Sequence, residues 1–103
     1  MEIELRVGPS ATVRNAADLR QQCIDVLAGH GAIEVDIASL TEADLSFVQL
    51  LHALRTAAAG AGRQVRLRTP APAPVVAVLE RAGFLAAPGA QDLDFWFHGE
   101  RPQ

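Results

Sequence analysis

The chain has 103 residues, a formal net charge of −3 and a pI of about 5.5. That length is typical of one domain, and a composition that is 50% hydrophobic and 20% charged excludes disorder over most of it. The nine basic residues are all Arg and are scattered, which disfavours nucleic acid and anionic membranes as partners. Cys23 has no second cysteine to pair with, and no stretch reaches the roughly 18 apolar residues of a membrane span. We therefore expect one domain over residues 1–103, without membrane insertion, in the cytoplasm.

Three segments alternate between apolar and charged residues, the pattern of a strand with one buried face. They are residues 2–7, 32–38 and 64–69. Strands covered on both faces are apolar nearly throughout, whereas each of these has one charged side. The pattern predicts helices on one face of the sheet and pairing of opposite charges across the other. A short strand at Ala11–Arg14 could form a hairpin with the first.

Three helices are predicted between and after these strands. The first begins after Asn15, a favourable N-cap, and the second after Thr41 or Asp44, running to about Ala59. The third extends from about Ala73 to Ala82, behind prolines that suit a first helical turn. Strand–helix–strand order with short links predicts parallel pairing. The expected fold class is α/β, with two layers and a small mixed sheet of about four to five strands carrying helices mainly on one face.

The C-terminal tail, residues 86–103, holds a loop at 87–90 and three of the five aromatic residues. Leu93, Phe95 and Phe97 alternate with other residues, so a short strand is possible there. The favoured interpretation is that these aromatic residues seal the core or a sheet edge. A dimer contact is the alternative.

Motifs for catalysis are missing from the sequence. It has no Gly-rich phosphate loop and no nucleophile elbow, and its three His residues are widely separated, so we expect no enzyme, no metal and no cofactor. Asp36, Glu42 and Asp44 cluster between a strand and a helix, where carboxylates could act as acid and base. A solvated sheet face and a helix N-terminus explain them better. A pocket with converging carboxylates would support the enzyme alternative.

Leu45 lies off the apolar stripe of the second helix. At 100° per residue, Phe47, Leu51 and Leu54 share the narrow core face, whereas Leu45 falls on the side of His52. An apolar residue in the first helical turn, at the carboxyl end of a strand, is a candidate contact residue. Single exposed apolar residues are also common, so both interpretations stay open.

The stretch from Ile33 to Leu51 resembles the central signature of STAS domains, the domains of bacterial anti-sigma factor antagonists. That signature is an apolar strand, a loop similar to Leu-Thr-x-x-Asp-Ser-Ser-Gly-Leu, and a Leu-rich helix. The matching residues are Leu40, Thr41, Asp44, Ser46, Gln49, Leu50 and Leu51. The resemblance covers roughly residues 3–85, including the Gly-rich link at 59–63 and the Ala-Gly-Phe ending at 82–84.

The resemblance implies a protein-binding signalling module that has a small sheet with helices mainly on one face. In relatives, phosphorylation of a serine directly after the Asp releases a serine-kinase anti-sigma factor. Here Leu45 occupies the position of that serine and Phe47 the position of the usual Gly, so the usual switch is missing. Ser46 is the possible alternative phosphate acceptor, or else it helps to cap the helix.

We therefore expect this chain to dock on a protein through the start of its second helix. The expected partner-binding residues are Thr41, Glu42, Asp44, Leu45, Ser46, Phe47, Gln49 and His52. The expected partner is a serine kinase or anti-sigma factor, or a two-component or chemotaxis protein. The alternative, also implied by the resemblance, is an accessory STAS subunit of a lipid-transporting ABC system. A homodimer is possible in either case.

Overall fold

The computed structural model describes residues 2–83 and 89–98. Within these ranges the strands are β1 (Glu2–Arg6), β2 (Ser10–Ala11), β3 (Ala32–Asp36), β4 (Glu42–Ala43) and β5 (Val65–Leu67). The α-helices are α1 (Ala16–Leu27), α2 (Leu45–Gly60), α3 (Ala73–Arg81) and α4 (Ala90–Phe97). A 3₁₀ helix at Val13–Asn15 precedes α1. The three predicted helices and three alternating strands are all present, with ends that shift by one or two residues.

The main sheet is parallel and has the order β1-β3-β5. Its register aligns Leu5 with Val35 and Val35 with Leu67. This confirms the parallel pairs predicted from the strand–helix–strand order. The strand count also agrees with the prediction, but β2 and β4 form a second parallel sheet of their own. The expected single mixed sheet is therefore corrected to two small sheets, whose described pairs are all parallel.

The hairpin predicted at residues 11–14 is wrong. Ser10–Ala11 pairs with β4 rather than with β1, and the chain then turns into the 3₁₀ helix. A capping box stabilises this turn. The Thr12 hydroxyl accepts from the Arg14 N–H, and the Asn15 side chain accepts from the Thr12 N–H at 2.7 Å. Asn15 thus takes part in the capping box of the 3₁₀ helix. It also precedes α1, but its side chain makes no cap hydrogen bond to that helix.

One face of the main sheet carries the core. Leu5, Val35 and Leu67 are buried there, α1 packs on β1, and α2 packs on β5. The core stripe predicted for α2 is confirmed, since its members are at most 2% exposed: Phe47, Leu51, Leu54 and Ala58. The two-layer α/β architecture therefore follows from the one-sided apolar pattern of the strands.

Charged side chains cover the opposite face and pair between strands. The Arg66 guanidinium reaches Glu2 at 3.1 Å and Glu34 at 3.4 Å. Asp36 lies between Arg6 at 3.8 Å and Arg68 at 3.6 Å. The predicted cross-strand pairing is confirmed. Solvent-exposed ion pairs of this kind contribute only about 0–1 kcal/mol each. Burial of the apolar face therefore contributes most of the stability.

The tail forms a helix, so the short strand considered for residues 93–97 is wrong. Three consecutive side chains, Phe95, Trp96 and Phe97, are each at most 5% exposed, which a strand with alternating faces would not allow. The Arg55 guanidinium stacks 4.2 Å from the centre of the Phe95 ring and pairs with Asp92 at 3.2 Å. The prediction that these aromatic residues seal the core is confirmed. Of the expected loop at 87–90, residues 87 and 88 lie outside the described ranges.

Helix α4 closes the outer edge of β5. The ring Nε2 of His98, in the left-handed residue that ends α4, donates to the Leu67 carbonyl at 2.8 Å. The Ala71 N–H donates to the Trp96 carbonyl at 2.7 Å. At this edge α4 therefore lies against the strand, and the Leu67 carbonyl already has a donor.

Candidate functional site

Two loops at the carboxyl ends of β1 and β3 hold the start of α2 in place. The pairing of β2 with β4 joins the loops. On one side of this pair the Thr41 N–H donates to the Pro9 carbonyl at 2.8 Å, and on the other the Asp44 N–H donates to the Ala11 carbonyl at 3.2 Å. The site therefore rests on backbone hydrogen bonds between segments about thirty residues apart in sequence, which fix its shape independently of its side chains.

Asp44 is the N-cap of α2 and the centre of this arrangement. Its Oδ1 accepts from the Ser46 N–H at 3.0 Å and from the Ser46 hydroxyl, and its Oδ2 accepts from the Val13 N–H at 3.0 Å. The Ser46 hydroxyl is the strongest influence that lowers the pKa of Asp44, and the N–H groups of Val13, Ser46 and Phe47 add to it. Desolvation opposes these effects but does not reverse them. Asp44 thus stays ionised and ties the 3₁₀ helix to α2.

Two exposed apolar side chains flank the capped carboxylate. Leu45, the first residue of α2, is 41% exposed, and Val13 of the 3₁₀ helix is 69% exposed. Among the described residues the other large exposed apolar side chain is Ile24 of α1, so two of three lie at this end of α2. Leu45 was predicted from its helical position. Val13 was missed, although the Thr12–Asn15 capping pattern would have placed it in a tight turn.

The remaining predicted site residues divide between surface and interior. Thr41, Glu42, Gln49 and His52 are exposed, and the last two follow Leu45 along one face of α2 at spacings of four and seven. Phe47 is only 1% exposed, because its position on the core stripe turns it toward the sheet. Its predicted role as a contact residue is therefore corrected to that of a support beneath the site.

The three carboxylates considered for catalysis each have separate partners. Asp36 pairs with arginines on the open sheet face, Glu42 pairs with Arg14 at 3.4 Å, and Asp44 caps α2. In residues 2–83 and 89–98, no group of three or more His, Cys, Asp or Glu residues could hold a metal ion. A groove of about 740 Å³ between α2, β5 and α4 is lined by none of the three carboxylates. Each of the three carboxylates thus has a contact of its own, and the groove is lined by other residues.

The protein is a two-layer α/β domain, and the capped N-terminus of α2 carries exposed apolar side chains. These are features of a binding module. Comparison with known families agrees: a family model described as "Mlab, STAS domain" matches residues 2–86. The chain belongs to the STAS domain family. A search of curated proteins found no match.

Membership of this family defines the general role. STAS domains are protein-interaction modules and are generally non-catalytic. They serve in signalling of the anti-sigma factor antagonist type or in association with transporters. None of the helices in the described ranges is long and apolar enough to cross a membrane.

Proposed function

We propose that this STAS domain binds a protein partner through the surface around the start of α2. This docking surface comprises the exposed residues Val13, Thr41, Glu42, Leu45, Gln49 and His52, with Asp44 and Ser46 at its base. The observation that carries the proposal is the exposure of Leu45 and Val13 beside a rigidly bonded helix cap. Apolar anchors that are already held in position lose little conformational entropy on binding.

The favoured partner is a serine kinase or anti-sigma factor, or a two-component or chemotaxis protein. Leu45 stands where STAS relatives of the antagonist type carry a phosphorylatable serine, and a leucine accepts no phosphate. Leu45 therefore supplies a constitutive apolar contact at the centre of the docking surface. Regulation of this interaction then lies with the partner or with a different residue of this chain.

Ser46 is the alternative site of modification within the docking surface. Its hydroxyl donates to the carboxylate of Asp44, so a phosphate there would bring a charge of about −1.5 to −2 against an ionised carboxylate. That repulsion would loosen the cap and detach the Val13 amide from Asp44. Modification of Ser46 would thus reshape the docking surface rather than only add charge to it.

A second candidate function is that of an accessory STAS subunit of a lipid-transporting ABC system. The observation that favours it is the description of the matching family model, "Mlab, STAS domain". In this function the same docking surface would contact the ATPase subunit of the transporter. Both candidates use α2, so the identity of the bound protein decides between them.

Affinity capture with mass spectrometry tests the proposal and separates the two candidates. Wild-type chain is compared with Leu45→Asp, which places a charge where the proposed contact is apolar. We expect one protein to be captured by the wild type and lost with the variant: a kinase or anti-sigma factor for the first candidate, a transporter ATPase for the second. Mass spectrometry of the captured chain also reports whether Ser46 carries a phosphate. Equal capture of that partner by Leu45→Asp would reject the docking surface.

A further inference from the structure

The outer edge of β1 carries backbone groups with no described strand beside them. In the main sheet β1 has one neighbour, β3, and no described strand pairs with its other side. The Val7 N–H donates to the Asp36 carbonyl at 2.9 Å, and in a parallel ladder every second residue bonds to the same neighbour. The N–H and C=O groups of Glu2, Glu4 and Arg6 consequently point away from the sheet.

This edge differs from the one on the other side of the sheet. At β5 the Leu67 carbonyl accepts from the His98 ring and α4 lies against the strand. Along β1 the side chains that accompany the outward backbone groups are exposed: 72% for Arg6 and 42% each for Glu2 and Glu4. An open edge of five residues is a template for pairing with a further strand.

The sequence of β1 is complementary to its own reverse. When two copies of Glu-Ile-Glu-Leu-Arg run antiparallel and all five residues pair, the twofold axis passes beside Glu4. Glu2 of each copy then lies opposite Arg6 of the other, on the same open face. We propose that β1 pairs antiparallel with β1 of a second copy of this chain, so that the two main sheets become one six-stranded sheet.

The backbone geometry suits this pairing as well as the charges do. In an antiparallel ladder, hydrogen-bonded pairs exchange two bonds each, and the outward residues Glu2, Glu4 and Arg6 fall at those pairs, giving up to about six main-chain bonds. Ile3 then lies opposite Leu5 of the second copy, on the face that carries the core. The Arg6 guanidinium, now 3.0 Å from Glu4 of its own strand, reaches Glu2 across the axis and offsets the facing Glu4 carboxylates.

A proline at position 4 tests the pairing without disturbing the monomer. The Glu4 N–H is not used in the ladder to β3, and proline is tolerated on the open side of an edge strand. Glu4→Pro removes the two central donors of the dimer, and we expect its dimer Kd to rise about tenfold or more. The control Glu4→Gln keeps the N–H and removes the facing charges, so it should dimerise at least as well as wild type. Sedimentation velocity across a dilution series measures all three.

A charge exchange provides the second measurement. Glu2→Arg sets arginine against Arg6 of the other copy and should weaken the dimer, whereas Glu2→Arg with Arg6→Glu restores opposite charges and should recover it. Circular dichroism first establishes which variants are folded. A wild type that stays monomeric at every concentration overturns the proposal, and so does a Glu2→Arg variant that dimerises as well as wild type. These outcomes are independent of the docking surface on α2.

Discussion

The proposed docking surface depends on one residue, Asp44. It receives donors from Ser46 within its own helix and from Val13, which is 31 residues away in sequence. One side chain therefore both begins α2 and positions an apolar residue of a different segment. Its neighbour Leu45 is presented to solvent as a result, since the first residue after a fixed cap has a fixed direction.

Replacement of the cap should be measurable as lost stability. Asp44→Ala removes an N-cap acceptor and should lower the free energy of unfolding by about 1 kcal/mol, within the roughly 0.5–2 kcal/mol typical of caps. Asp44→Asn should cost less, because asparagine caps helices about as well. Urea unfolding of the three proteins checks this order. Equal stability of Asp44→Ala and wild type would show that the cap contributes nothing.

Acid should weaken the same contact in a defined direction. Hydrogen bonds hold the pKa of Asp44 below its usual value in the folded chain, so the native state binds fewer protons than the unfolded state there. Its stabilisation is complete above the unfolded pKa of about 3.9 and is lost as the pH falls through the lower folded value. Wild type should therefore lose stability relative to Asp44→Asn as the pH falls below about 4. A difference that is constant through this range contradicts the role given to the ionised carboxylate.

The exposure of Leu45 could be predicted from the sequence, whereas the position of Val13 could not, for a physical reason. The exposure of Leu45 follows from helical geometry, which depends only on residues nearby in the chain. The position of Val13 depends on a hydrogen bond to Asp44 and on the two-residue pairing of β2 with β4. Strands of two residues show no periodicity, so their parallel pairing with each other could not be predicted.

Among the elements, the link between α2 and β5 also stabilises the end of α1. Arg63 donates through Nε to the Gly31 carbonyl at 2.7 Å, and through one terminal nitrogen to Val26 at 3.0 Å and Leu27 at 3.1 Å. These carbonyls belong to the last turn of α1 and the loop after it, where a cation suits the helix dipole. A single side chain thus joins the end of one helix to the start of a strand.

Arg63→Ala should lower the free energy of unfolding by about 1–3 kcal/mol, because it leaves carbonyls of α1 without their charged donor. Arg63→Lys should recover only part of this, since an ammonium lacks the planar fork that serves several acceptors. Arg81→Ala, an exposed arginine at the end of α3, is the matched control and should stay within about 0.5 kcal/mol of wild type. Thermal and urea unfolding give the comparison. Similar values for Arg63→Ala and Arg81→Ala would contradict the assigned role.

Helix α4 has a local sequence pattern that does not match its structure. The alternation of Asp92, Leu93, Asp94 and Phe95 has the period of a strand, but over so few residues the period does not separate strand from helix. Tertiary packing favours the helix, because three consecutive aromatic side chains are buried. The longer elements were predicted well because their periodicity extends over more turns.

Trp96→Ala tests whether α4 belongs to the core. Removal of a large buried aromatic side chain should lower the free energy of unfolding by about 3–5 kcal/mol. Asp94→Ala, an exposed change on the same helix, should have little effect. Denaturant unfolding and sedimentation together separate a core role from a dimer contact. A Trp96→Ala variant that is as stable as wild type but monomeric where wild type is a dimer would favour the contact.

At the scale of the whole molecule, the two proposed surfaces do not compete. The docking surface lies at the carboxyl ends of the strands, whereas the dimer edge runs along β1. Antiparallel pairing of β1 would place the docking surfaces of the two copies at opposite ends of the joined sheet. Each copy could then bind a partner, and variants of one surface should leave the other intact.

The most direct test of the docking surface is the Kd for the captured partner, measured by calorimetry for wild type, Leu45→Asp and Ile24→Asp. Ile24 is the matched control, because it is an apolar side chain of α1 with 46% exposure, close to the 41% of Leu45. We expect Leu45→Asp to weaken binding by about 2 kcal/mol or more, roughly thirtyfold, while Ile24→Asp stays near wild type. A Leu45→Asp variant that is folded and binds as tightly as wild type would contradict the account.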